Sequence, residues 1–209
     1  MARNLFRHDS GLMITFAQIT DCIFLSLFFF LGCVPVVTIG ASWAALYDAS
    51  YHAFRLGDKH SWSRFLHTFK DNLRSSLIPN LLFLAVFLLT GWGMIQLWNR
   101  AVAETVSWAV FAGGAFLAVL VYGILSVLFP MLSRFENPTG GLIKNTVLLA
   151  LANLPGTLAL GILNAGSLLL CLRFVFPLFF LPCLASLLGT LFIEPMFKPY
   201  MPREPVERD

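Results

Sequence analysis

Charge is scarce in this sequence. Asp, Glu, Lys and Arg supply 12% of its 209 residues, about half the share of an ordinary soluble chain. So few charges cannot wet the outside of a domain this size, which excludes a soluble globular protein. Disorder is excluded too, because 58% of the residues are hydrophobic and twenty-one are Phe. The net charge is only +3 and the basic residues stand scattered between apolar runs. That arrangement does not make a nucleic-acid-binding patch.

Catalytic patterns are also lacking. No Gly-rich loop ends in Gly-Lys-Ser/Thr, and no Gly-x-Ser-x-Gly or His-Glu-x-x-His is present. His8, His52, His60 and His67 make no zinc spacing. Cys22, Cys33, Cys171 and Cys183 all fall in apolar runs without a Cys-x-x-Cys pair, and read as reduced thiols serving as small hydrophobes. The reading is of a protein that is not an enzyme, with no catalytic residue, metal or cofactor.

What remains is apolar length. Five runs carry no Asp, Glu, Lys or Arg: Cys22 to Tyr47, Ser75 to Asn99, Thr105 to Ser133, Asn145 to Leu172 and Phe174 to Ile193. Each reaches the roughly 20 residues that a helix needs to cross a bilayer. The expectation is an all-α, polytopic transmembrane bundle in a single domain. Pro35 and Gly40 break the first run into a hairpin, so the count is five to six membrane helices. Their expected bounds are about 12–34, 41–54, 75–99, 105–133, 145–172 and 174–193, with a polar tail over 194–209. Pro35, Thr38 and Gly40 form the hairpin turn. Arm 41–54 is open between a short crossing, a re-entrant arm and an interfacial helix. Pro130, Pro155, Pro177 and Pro182 predict kinks in the later spans.

Lys and Arg mark the cytoplasmic side. A hairpin that returns to its starting side leaves twelve of them inside and two, Arg100 and Arg173, outside. A single crossing leaves ten and four. The more lopsided split puts both termini in the cytoplasm. Trp98 and Trp108 flank the opposite loop as interfacial anchors. Ala109/Gly113, Ala152/Gly156 and Gly161/Ala165 set small residues four apart, a spacing that lets helices approach closely.

Between hairpin and second run, Trp62, Phe65, Leu66, Phe69 and Leu73 follow one helical stripe, with Arg64, His67, Lys70, Asp71 and Arg74 opposite. The expectation is an amphipathic interfacial helix at about 61–74, capped by Ser61. Trp62, Arg64, Phe65, Phe69, Lys70 and Asn72 are its candidate partner-docking surface. Asp48 and His52, four apart, meet on the second arm. With Asn145 and Asn153 they are the candidate intramembrane polar residues. Glu136 and Glu194 open polar segments and read as solvated.

Three segments together resemble a known family. They are Cys33-Val34-Pro35-Val36-Val37-Thr38-Ile39-Gly40-Ala41-Ser42 with Ala45-Leu46-Tyr47; Phe65 to Asn72; and Arg134-Phe135-Glu136-Asn137-Pro138 leading to Lys144-Asn145 and Asn153-Leu154-Pro155. They resemble the YesL family, small bacterial integral membrane proteins with a domain of unknown function. The resemblance runs from about Arg7 to about Tyr200 and brings no assigned functional residue. It implies a bacterial plasma-membrane protein near carbohydrate uptake, an accessory or regulatory component of a carbohydrate ABC transporter. The expected partners are the lipid bilayer and permease subunits or a second copy of the chain. An oligomeric transporter or channel, and the membrane component of a sugar-sensing system, are the alternatives.

Overall fold

A computed structural model describes the backbone of residues 6–58, 60–135, 139–174 and 176–200, and the side chains from Gln18 onward apart from Thr139. Glu136, Pro138, Lys59, Arg3, Arg203 and Arg208 lie outside the described residues. Among those described, all regular structure is helical: α1 (Phe6–Cys33), α2 (Ile39–Arg55), α3 (Ser61–Asn72), α4 (Leu77–Val102), α5 (Trp108–Arg134), α6 (Thr139–Ala152), α7 (Leu154–Arg173) and α8 (Leu181–Phe197). Short 3₁₀ turns at Val36–Thr38 and Phe176–Phe179 join α1 to α2 and α7 to α8.

Among the described residues, three helices are long and apolar enough to cross a membrane: α4, α5 and α7. Gln18–Cys33, Gly140–Ala152 and Leu181–Phe197 are shorter apolar helices. The run from Asn145 to Leu172 is not one helix. Pro155 has no N–H to give and its ring disfavours a helical turn behind it, so α6 stops at Ala152 and α7 starts at Leu154. The Ala150 carbonyl left at that break accepts the Thr157 hydroxyl at 2.7 Å. Pro177 and Pro182 likewise stand in or at the start of elements, and Pro130 is the member of the expected set inside a helix. The last helix runs through Glu194 to Phe197, four residues into what the sequence suggests is a tail.

The second hairpin arm is the centre of the molecule. From Gly40 to Ala53, α2 buries Gly, Ala and Ser on most of its circumference, along with Leu46, Tyr47 and Asp48. It packs against α1, α3, α5 and α8. Small side chains allow that many neighbours to approach one helix. Trp43, on its edge, meets Phe83 of α4 and Phe129 of α5 at ring-centroid distances of 5.8 and 5.9 Å. The arm is thus enclosed by protein on most of its circumference.

The turn that starts α2 is held from outside. Asn80 of α4 is 1% exposed. Its Oδ1 accepts the Gly40 amide at 3.0 Å, and its Nδ2 donates to the Val36 and Val37 carbonyls, each at 3.0 Å. One side chain thus satisfies three backbone groups that the broken helix leaves without partners. The Thr38 hydroxyl donates to the Gly32 and Pro35 carbonyls, so Pro35, Thr38 and Gly40 do lie together in the turn. Gly40 has no alternative, because a Cβ there would sit 2.5 Å from the Phe129 ring.

Small residues also set the α5–α7 crossing. A Cβ on Gly123 would collide with the Thr157 carbonyl, and one on Gly161 with the Val119 carbonyl. Gly113, by contrast, faces open space, so the Ala109/Gly113 pair makes no close crossing. Two outcomes test this reading. Gly161→Ala lowers stability in detergent by about 1–3 kcal/mol through overpacking, while Gly113→Ala leaves it unchanged or raises it; equal melting shifts would refute the crossing. Asn80→Ala leaves buried backbone groups unpaired at about 1–3 kcal/mol each. Its melting temperature should fall further than that of Asn153→Ala, whose amide makes one local bond, to the Leu149 carbonyl.

Candidate functional site

Asp48 points from α2 toward α3 and is 5% exposed. A carboxylate so deep stays charged only if its oxygens are matched by donors. Two supply them: Arg64 Nε and Thr68 Oγ1 each donate to Oδ2 at 2.9 Å. His52 Nδ1 lies 3.2 Å from Oδ1 and is hydrogen-bonded to the Asp48 backbone carbonyl at 2.9 Å. Arg64 and Thr68 are four apart, hence on one face of α3. Hydrogen bonds to a charged acceptor are about twice as strong as neutral ones, so this face locks α3 to α2. The expected Asp48–His52 contact is present, and α3 completes it.

The same helix is fastened at two more points. Phe65 is 2% exposed, with its ring 6.0 Å from Phe28 of α1 and 6.2 Å from Phe69. Ser61 donates its hydroxyl to Asp21 of α1 at 3.1 Å. The cap position belongs to His60, so Ser61 acts as a tether rather than as the expected N-cap. The stripe read as membrane-facing is thus mostly inserted into the hairpin. Trp62 and Lys70 stay exposed and Asn72 is half-buried, donating to the Thr68 carbonyl. The six candidate docking residues do not share one open face: Phe65 is core, Phe69 partly so, and Arg64 is engaged with Asp48.

A second ionic group lies within a turn along α2. Glu194 of α8 accepts the Tyr47 hydroxyl at 2.8 Å and Arg134 Nη2 at 3.0 Å. The Arg134 guanidinium also stacks over Tyr51, 4.2 Å from the ring centroid, a cation–π contact. Glu194 is therefore not solvated in the way its place after an apolar run suggests, and it binds α8 and α5 to α2. Sequence reasoning gives Thr68 and Tyr47 no polar role and takes Glu194 for a solvated residue. The available signal is that lone charges at the ends of apolar runs, Glu194 and Arg134, need each other.

Between the two ionic groups opens a cleft of about 540 Å³. Its walls are Asp48 of α2, the face of α3 from Arg64 to Asn72 with Ser75, and the end of α5 from Leu132 to Phe135. Asn145 faces a separate pocket with Phe135 and Tyr200, and Asn153 sits at the α6–α7 break. The four candidate intramembrane polar residues therefore form one pair and two isolated positions. Among the described residues no three His, Cys, Asp or Glu side chains are grouped to hold a metal.

The pattern of a family described as "Protein of unknown function, DUF624" matches residues 22–94. Residues 22–94 carry a DUF624 domain. No curated protein and no solved structure matches the chain. The DUF624 segment holds the hairpin turn, Asn80 and every member of the Asp48 group, whereas Arg134 and Glu194 lie beyond it.

The clamp makes a direct prediction. Asp48→Asn and Arg64→Gln each lower stability in detergent, Asp48→Asn by about 1.5–3 kcal/mol for lost charge-assisted bonds. The double variant should cost clearly less than the two together. Strict additivity of the melting shifts would show that the pair does not act as a unit.

Proposed function

We propose that the chain is a non-enzymatic, multi-pass bacterial plasma-membrane protein of the YesL type, an accessory or regulatory component of a carbohydrate ABC transporter. On this reading the shorter apolar helices join α4, α5 and α7 in the membrane, five to six crossings in all. Both termini are cytoplasmic, following the distribution of Lys and Arg. The observation that supports an accessory role is α3. An amphipathic helix that merely linked two spans would need no buried ion pair. This one is locked by Asp48, Phe65 and Ser61, which makes it a preorganised platform, and preorganisation lowers the entropic cost of binding a partner. Trp62 and Lys70 are among the side chains the platform presents outward; a tryptophan is the kind of residue that anchors interfaces, and the lysine adds a positive charge beside it.

The test is a native pull-down of the tagged full chain in mild detergent, from cells expressing the transporter, with co-purifying proteins identified by mass spectrometry. The reading expects permease subunits at near-stoichiometric yield, and their loss in Trp62→Ala/Lys70→Glu with the melting temperature unchanged. Recovery of the chain alone as a defined oligomer would overturn it in favour of an independent transporter or channel. Recovery of a histidine kinase instead of permeases would point to the sugar-sensing alternative.

A further inference from the structure

The cleft between α3 and α5 holds an excess of unspoken-for hydrogen-bond donors, and this is its most telling property. Of its two carboxylates, Asp48 is engaged by Arg64 and Thr68. Asp71 stands at the exposed rim, 60% exposed, with His67 Nδ1 2.6 Å away. Its two guanidiniums are not used up. Each carries five N–H groups in a planar fork. Among the described residues Arg64 bonds Asp48 through Nε, and Arg134 bonds Glu194 through Nη2. Arg134 Nε is buried and has no hydrogen-bond partner among the described residues. That atom has no accessible surface and does not face the cleft; the donors left for a bound acceptor are the Nη groups of the two guanidiniums, which beyond the Arg134 Nη2–Glu194 bond take no acceptor among the described residues.

The two arginines come from separate elements onto one cavity of about 540 Å³, ample for a tetrahedral oxyanion and its substituent. Guanidinium forks match the paired oxygens of phosphate and carboxylate. The cavity's place narrows the source. Ser75 stands two residues before the start of α4, and Arg134 is the last residue of α5; both are helices of membrane-spanning length. The cleft therefore stands where two neighbouring spans meet the membrane boundary, the level of phospholipid headgroups. Leu132 and Phe135 supply its apolar wall.

We propose that this cleft is a phosphate-binding site, with Arg64 and Arg134 as its two ligating side chains and the hydroxyls of Ser75 and Ser133 beside them. The phosphate belongs either to a phospholipid headgroup or to a water-soluble phosphorylated solute. The site does not depend on the transporter association proposed above, and it is tested on the purified protein alone.

The experiment uses the full chain in neutral detergent and in nanodiscs. Melting temperature is followed with inorganic phosphate against chloride at equal ionic strength. In parallel, native mass spectrometry counts phospholipid retained from an anionic phosphatidylglycerol mixture. Asn72→Asp introduces a carboxylate at a half-buried wall position without touching either ion pair, and keeps the site falsifiable if Arg64→Gln or Arg134→Gln fails to fold. Stabilisation by inorganic phosphate, weakened about tenfold in apparent affinity by Asn72→Asp, would establish a soluble source. Retention of phospholipid without any effect of inorganic phosphate, again lost in Asn72→Asp, would establish a headgroup site. Neither effect in the wild-type chain, or binding that Asn72→Asp and Arg64→Gln leave intact, would overturn the proposal.

Discussion

A carboxylate at the centre of an apolar bundle governs this structure. Leaving Asp48 unmatched would cost several kcal/mol in desolvation, so its surroundings must bring donors to it. α3 is the element that does so. A 12-residue helix of amphipathic sequence has little stability of its own, and here it doubles back along α2 because Arg64 and Thr68 find Asp48 and Phe65 finds Phe28. Once α3 is fixed, the positions of Ser75 and the start of α4 follow, and Asn80 is brought over the hairpin turn. The polar contact and the backbone satisfaction of the turn are two ends of one constraint.

The second requirement is steric. A helix surrounded by four others must be thin, and α2 meets this with Ala41, Ala44, Ala45, Ala49 and Ala53. Within a bilayer, apolar burial gives little preference for protein over lipid, and close backbone approach and hydrogen bonds decide which helices associate. α5 is the most enclosed of the three long apolar helices, packed on α2 and crossing α7 closely at Gly123 and Gly161, whereas α4 and α7 are mostly open, α4 facing outward with Leu81, Leu88 and Trp92.

Much of this was legible in the residues and part was not. Helical class and apolar length follow from composition, and the break at Pro35–Gly40 follows from the residues that cannot continue a helix. The break at Pro155 appears as a kink in the sequence, because the Pro signal gives a place but not a magnitude; whether the helix bends or stops depends on Thr157 reaching the Ala150 carbonyl. The placement of α3 was hidden for a different reason. An amphipathic stripe states that one face is apolar, yet it cannot say whether lipid or protein covers that face. The polar face was equally ambiguous, since Arg64 in isolation looks solvated. Only the pairing with Asp48, sixteen residues earlier, distinguishes a clamp from a surface. Glu194 was misread by the same logic, as its partners Tyr47 and Arg134 are far away in the chain.

These two ionic groups share α2 but differ in what they connect. The Asp48 group is local, closing α2 on α3 within the DUF624 segment. The Glu194 group is long-range, tying α2 to the ends of α5 and α8 from outside that segment. The segment from α1 to α4 can therefore form its hairpin and clamp from its own residues, while the later helices attach through Arg134 and Glu194. The cleft lies along this seam. Each arginine lining it is half of a different connection, so an acceptor bound between them would touch both parts of the protein at once. A ligand there would couple the clamp to the remainder of the bundle through direct contacts, and a change in its occupancy would be felt on α3 and α5 together.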